Sequence, residues 1–331
     1  MRDRDETRRG PGEVEPAAWA ALHPQVRSLL SLEEEGAEQP ADLAAERAAY
    51  LETALRLGGA LEPVAAVEEL VVPSGEARLR SALYVPQHEG DADALLLWLH
   101  GGGWYLGDIP GFERVARALA NAAGAKVLLP EYRLAPEHPF PTPVDDAYNV
   151  LAWARSDEGA GQLGIDPERV VVGGDSAGGQ LAAAAARRAI ADGLPAPRAQ
   201  LLAYPALDPA MGSDAYREFA DGPLLSAADM ERCWRYYLDG QPGAEAGEEA
   251  DLLRAPVPEG MPEAFILIAG VDPLRDDGLR YAERLRAAGT PVRVETFGDM
   301  AHGFLRWGGV VDRAHEAIAL LGEQVRAAVT R

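Results

Sequence analysis

Ser176 sits in Gly174-Asp175-Ser176-Ala177-Gly178-Gly179, which closes the apolar run Arg169-Val-Val-Val-Gly-Gly and opens the alanine-rich stretch Gln180 to Ala191. A strand that passes through a tight turn into a helix pushes the turn residue into the open, and flanking glycines leave the room that such a crossing needs. A serine placed there can attack a carbonyl carbon while helix amides face the charge that develops. Gly-x-Ser-x-Gly is short enough to occur in an ordinary glycine turn, so the flanking strand and helix carry the argument.

A second chemical feature lies upstream, where Leu95-Leu-Leu-Trp-Leu runs into His100-Gly101-Gly102-Gly103-Trp104. A buried strand that ends in three glycines can turn bare amides toward one point. Acyl transfer needs such donors because the carbonyl oxygen becomes negative as the nucleophile attacks; one lost donor raises the barrier by on the order of 3 kcal/mol. Gly102 and Gly103 are the expected donors, joined by the amide of Ala177.

A serine hydroxyl also needs a base, usually a histidine oriented by a carboxylate. Of six histidines, His23, His88 and His315 fall in surface or packing positions, His138 sits among prolines, and His100 shapes the glycine loop. His302, in Asp299-Met-Ala-His-Gly-Phe, lies between the last expected strand and the last helix, at the edge where an open α/β sheet builds its site. For the acid, Asp272, Asp276 and Asp277 compete. Asp272 stands nearest the carboxyl end of its strand, whereas Asp276 and Asp277 can simply favour the dipole of the helix that follows.

Alternating strands and helices from Ala94 onward must position these residues. Strands are expected at Ala94 to Leu99, Lys126 to Pro130, Val170 to Gly173, Ala199 to Tyr204, Ala264 to Ala269 and Val292 to Thr296. Helices are expected near Gly111 to Ala123, Pro143 to Ser156, Ser176 to Ala191, Gly278 to Ala288 and Asp312 to Ala328. This pattern predicts an α/β fold with a mostly parallel sheet covered on both faces. Glu69 to Val72 and Ala77 to Val85, around Pro73-Ser74-Gly75, read as a hairpin ahead of it.

Residues 1 to 16 have the composition of a disordered tail. From Ala17 to Leu57, Trp19, Leu22, Val26, Leu29, Leu30, Leu43, Ala48, Leu51 and Leu55 recur at helical spacing. The segment 207–259, with a helix at Ala227 to Leu238 and an acidic stretch from Gly240 to Ala250, interrupts the alternation. It is too long for a bare connection, so it reads as an inserted cap. The chain then divides into the tail, a helical part of the cap at 17–62, a catalytic domain at 63–206 and 260–331, and the inserted cap segment. Trp104, Leu224, Leu225, Trp234, Tyr236 and Tyr237 are candidates for pocket or cap walls. Arg133 and Glu137, among prolines, are expected to hold a turn.

The 331 residues carry a formal net charge of −22, which repels nucleic acid and anionic lipid. Lys126 is the single lysine, and Cys233, the single cysteine, excludes an intrachain disulfide and a cysteine-built metal site. No signal-like apolar segment opens the chain and no apolar run is long enough to span a bilayer, so a cytoplasmic location is expected. The expected partner is a small ester, without nucleic acid, membrane, cofactor or metal; a homodimer is compatible with such a chain.

Together, His100-Gly-Gly-Gly-Trp, Tyr132-Arg-Leu-Ala-Pro-Glu-His-Pro-Phe-Pro, Gly174-Asp-Ser-Ala-Gly-Gly, Asp272-Pro-Leu-Arg-Asp and His302-Gly-Phe resemble the bacterial hormone-sensitive-lipase family of α/β-hydrolases, the family IV esterases. The resemblance runs from about Ala17 to the C-terminus, and the order Ser176, Asp272, His302 matches it. It implies an eight-stranded α/β-hydrolase sheet with a helical cap. It also implies Ser176 as nucleophile, His302 as base, Asp272 as acid, and Gly102, Gly103 and Ala177 as oxyanion donors in a serine carboxylesterase for short- to medium-chain esters. Plant gibberellin receptors use a similar scaffold without the histidine, so His302 argues against a non-catalytic receptor. A deacetylase or amidase would use the same residues.

Overall fold

Each strand of the sheet carries two faces, and the side chains of this chain sort themselves onto both. The computed structural model describes residues 17–33, 40–88, 90 and 93–330. The tail expected at 1–16 lies outside the described residues. Eight strands form one sheet: β1 (Ala66–Ser74), β2 (Ala77–Val85), β3 (Leu95–Leu99), β4 (Lys126–Pro130), β5 (Val170–Asp175), β6 (Ala199–Ala203), β7 (Glu263–Val271) and β8 (Val292–Ala301). Their spatial order is β1-β2-β4-β3-β5-β6-β7-β8. β2 pairs antiparallel with both β1 and β4, and all other pairs are parallel.

Ten α-helices occur among the described residues: α1 (Pro24–Glu33), α2 (Leu43–Leu57), α3 (Ile109–Ala123), α4 (Thr142–Ala154), α5 (Asp157–Leu163), α6 (Ala177–Ala191), α7 (Asp214–Glu218), α8 (Ala227–Tyr237), α9 (Arg275–Ala287) and α10 (Asp312–Val329). In β3, Leu95, Leu97 and Leu99 join the core beneath α4, α6 and α9. Leu96 and Trp98 join the opposite core, beneath α3 and α10. The period of two thus feeds both faces, as a sheet covered on both sides requires. α6 is buried along Ala177 to Ala186, and its run of alanines lets it lie close to the strands on either side.

Local sequence explains several ends. Asp108, with φ −158°, caps α3 by accepting from Gly111 N–H at 2.8 Å, and Gly124 ends that helix at φ +61°. The helix expected to continue to Ser156 stops at Ala154, because the Ser156 side chain instead caps the separate helix α5 by accepting from Gly159 N–H at 3.1 Å. The hairpin is longer than the expected Glu69 to Val72 arm, since β1 pairs with β2 from Ala66 to Ser74. α9 begins at Arg275, three residues before the expected Gly278. The acidic stretch is less loose than its composition suggested: it holds a short 3-10 turn at Gly243–Glu245, and Ala250 is fully buried.

β8 departs most from expectation. It runs on past Thr296 to Ala301, and its register with β7 changes from Ala269↔Phe297 to Val271↔Ala301. This irregularity brings backbones so close that a side chain on Gly270 would stand 2.4 Å from the Gly298 carbonyl oxygen. Bulges of this kind re-aim whatever follows them. Here Asp272 and His302 follow the last paired residues and leave adjacent strands side by side.

Candidate active site

Ser176 is the residue between β5 and α6. Its φ of +55° and ψ of −119° lie outside the ordinary basins of an L residue, the backbone strain of a sharp strand-to-helix turn. The neighbouring glycines have no alternative: a Cβ on Gly178 would fall 1.9 Å from Leu99 O, and one on Gly174 2.4 Å from the Gly178 backbone. The turn is anchored on the next strand, because Ser176 N–H donates to Ala203 O at 2.8 Å.

His302 Nε2 lies 2.9 Å from Ser176 Oγ, and its Nδ1 lies 2.7 Å from Asp272 Oδ2. A carboxylate can only accept, so the proton on His302 sits at Nδ1 and Nε2 accepts from the serine hydroxyl. Asp272 is fully buried, and its Oδ1 accepts from Leu274 N–H at 2.8 Å, which fixes the carboxylate plane. The Tyr204 ring packs edge-on against the imidazole at 4.9 Å.

The three aspartates after β7 are separated by their surroundings. Asp276 accepts from Ala215 N–H and pairs with Arg275. Asp277 is fully buried and accepts from Leu207 and Asp208 N–H at 2.9 and 3.1 Å, so it ties the exit of β6 to α9 rather than merely favouring a dipole. Burial pushes its carboxyl well above the usual range.

Gly102 and Gly103, at φ +121° and +58°, fold back so that Tyr105 and Leu106 N–H donate to Gly102 O at 3.1 and 2.8 Å. Among the described residues no backbone carbonyl accepts from the Gly102 or Gly103 amide. Ala177 is the first residue of α6, a position whose amide has no partner within its helix. His100 is buried against Tyr132 and Phe112 and donates from Nδ1 to Gly101 O at 2.9 Å; burial pushes its pKa down to about 4, so it stays neutral as part of the loop. Arg133 grips buried Asp146, and Arg47 holds Glu137 through two 2.7 Å contacts, so both proline-flanked residues serve the turn.

A cavity of about 360 Å³ opens onto Ser176 and His302, with Gly102 and Gly103 in its wall. One side comes from α2, which presents Glu46, Ala49, Tyr50, Thr53 and Leu57; Ala48 and Leu55, on the stripe expected to be apolar, face outward. The other side is Leu224, Leu225 and the face of α8 with Met230 and Cys233. Trp104, Trp234 and Tyr237 are not wall residues. They stack on one another, Trp104 on Tyr237 at 4.3 Å, and bury the root of α8. Tyr236 packs edge-on against the ring of Tyr105. Sequence reasoning missed Asp175, Arg306 and Trp307 in the wall; their proximity to the Ser176 and His302 motifs was the available signal.

Residues 96–306 match the model of the alpha/beta hydrolase fold family. The carboxylic ester hydrolase LipN of Mycobacterium tuberculosis is 38% identical over 263 residues, which is 77% of this chain and 69% of LipN. The ethyl acetate hydrolase of Pseudomonas putida is 35% identical over 247 residues, 74% of this chain and 77% of that enzyme. Among solved structures, the hyperthermophilic esterase of Pyrobaculum calidifontis superposes with a TM-score of 0.86 at 30% identity, covering 94% of this chain and 99% of that one. The chain belongs to the α/β-hydrolase fold family.

Proposed function

We propose that this protein is a serine carboxylesterase that cleaves short- to medium-chain carboxylic esters through an acyl-enzyme on Ser176. The observation that carries the reading is the hydrogen-bonded chain Ser176 Oγ, His302, Asp272, which opens onto a cavity walled by the glycine loop. The esterase names of the relatives support the same reaction. Ser176 Oγ attacks the ester carbonyl as His302 Nε2 takes its proton, and the Gly102, Gly103 and Ala177 amides receive the oxyanion. His302 returns the proton to the leaving alcohol, then draws one from water as that water attacks the acyl-enzyme, and passes it to Ser176 Oγ as the acyl–oxygen bond breaks and the acid leaves. Asp272 holds the imidazole and balances the charge it gains. Residues 17–33, 40–62 and 207–259 form the cap over this site, and the limited cavity favours acyl chains of modest length.

Hydrolysis of p-nitrophenyl esters of increasing chain length by wild type and Ser176→Ala tests this. Turnover is expected to fall on the order of a millionfold in the variant. An active Ser176→Ala enzyme, or one that prefers emulsified long-chain esters to soluble butyrate, would reject the corresponding half of the proposal.

A further inference from the structure

Asp175 is the ionisable side chain within the serine turn, and acyl transfer as written above gives it no task. It is 2% exposed, yet it shares the cavity wall with Ser176 and His302. Its Oδ1 accepts from Gly101 N–H at 3.1 Å, from a residue 74 positions away. A Cβ on Gly101 would stand 2.5 Å from Asp175 Oδ2 and 3.0 Å from the Asp175 carbonyl oxygen, so Asp175 leaves the first of the three glycines no room for a side chain. Gly101 directly precedes Gly102 and Gly103. The contact therefore joins the serine turn to the glycine loop.

A carboxylate here is a liability unless something offsets it, because the same cavity must host a developing oxyanion. Arg306, four residues after His302 and itself in the wall, supplies the opposite charge. It is 9% exposed, donates from Nη2 to Tyr50 O at 3.1 Å, and lies 3.7 Å from the centre of the Tyr50 ring and 5.1 Å from that of Phe112. Among the described residues its Nε has no hydrogen-bond partner. The titratable groups facing Asp175 are Arg306 and His302 from the segment after β8, Tyr50 from α2, Tyr132 from the loop after β4, and Tyr204 from the end of β6. Burial raises all three phenols, so they stay neutral. Burial likewise pushes Asp175 up to about 6, with Arg306 the foremost influence holding it down.

We propose that Asp175 and Arg306 are positioning residues: the Asp175 carboxylate clamps Gly101, and so sets the oxyanion glycines against Ser176, while Arg306 keeps that carboxylate charged and offsets its field at the reacting carbonyl. An ionised acceptor holds an N–H about twice as strongly as a neutral one, so the clamp loosens when Asp175 is protonated. The sign for stability is opposite. A carboxyl raised in the fold stabilises it at low pH, and that contribution is lost as pH rises from about 4 to about 6. At neutral pH the fold thus keeps a charge it would be more stable without, as functional sites often do.

The proposal rests on acyl transfer at Ser176, so the test first counts Ser176 labelled by a fluorophosphonate in wild type, Asp175→Asn, Asp175→Ser, Arg306→Met and Arg306→Lys. Then kcat and KM for p-nitrophenyl butyrate are followed from about pH 5 to 9, with Tm at neutral pH. The acid limb of kcat/KM is expected to be steeper in wild type than in Asp175→Asn, because only wild type loses the Asp175 charge there. Both Asp175 variants are expected to lose roughly tenfold or more in kcat with KM changed less than about threefold, and the Tm of Asp175→Asn is expected not to fall. Arg306→Met is expected to move the limb to higher pH and Arg306→Lys to restore it. Labelled Ser176 with an acid limb in wild type no steeper than in Asp175→Asn, or with undiminished kcat in Asp175→Ser, would overturn this proposal alone. Wild type that does not label would overturn the acyl-transfer reading and this proposal with it.

Discussion

Asp272, Asp276 and Asp277 stand within six residues, and their roles diverge because their surroundings do. Asp272 meets His302 with one oxygen and Leu274 N–H with the other, whereas Asp277 spends Oδ2 on the backbone after β6. An amide at 272 keeps the shape but offers a donor or a neutral acceptor where His302 Nδ1–H needs a carboxylate. Asp272→Asn is therefore expected to lose on the order of 10⁴-fold in kcat with KM little changed, measured on p-nitrophenyl butyrate. A loss under about tenfold would show that His302 keeps its tautomer without this partner.

At the scale of elements, the site is assembled by contacts between segments far apart in sequence. Arg47 of α2 donates to Tyr105 O at 2.8 Å and Ala135 O at 3.0 Å, in addition to its pairing with Glu137. From the opposite side, Arg306 reaches Tyr50 O on the same helix. The ion pair is half exposed and contributes little; the two carbonyl contacts from a charged donor contribute more. Arg47→Met is expected to weaken α2 docking by roughly 1–2 kcal/mol and to raise KM several-fold while kcat falls less. Limited proteolysis should cut α2 sooner in the variant; equal cleavage and unchanged KM would show that Arg47 does not hold the helix.

At the scale of the whole molecule, 53 acidic side chains face 31 basic ones. Such an excess strains the folded state by self-repulsion, and salt screens it over about 10 Å at 0.1 M. Tm is expected to rise by several degrees between low-salt buffer and about 0.5 M sodium chloride, read by differential scanning fluorimetry. A flat response would mean that the ion pairs spread over the surface already balance the excess locally. No helix among the described residues is long and apolar enough to cross a membrane.

Much of this molecule was legible from local pattern. The strands β3 to β7, the serine turn, the glycine loop and the histidine loop each depend on short-range rules: apolar runs, glycine where backbones crowd, and the edge of a parallel sheet where sites form. Those rules sufficed for the fold and for singling out Ser176, Asp272 and His302, which the structure brings within hydrogen-bond distance of one another. They could not end β8, because the shift that carries it to Ala301 depends on how close Gly298 comes to Gly270 on another strand. Nor could they choose the wall of the cavity. Helical spacing on α2 suggested Ala48 and Leu55 as inward, but helical periodicity alone does not say which flank meets a neighbour, and docking through Arg47 and Arg306 turned Tyr50, Thr53 and Leu57 inward instead. The sequence by itself determined which residues could do chemistry, since each motif is local; only the tertiary structure decided that Asp175 meets Gly101 and that Arg306 shares its cavity wall, because those contacts exist only once distant segments pack.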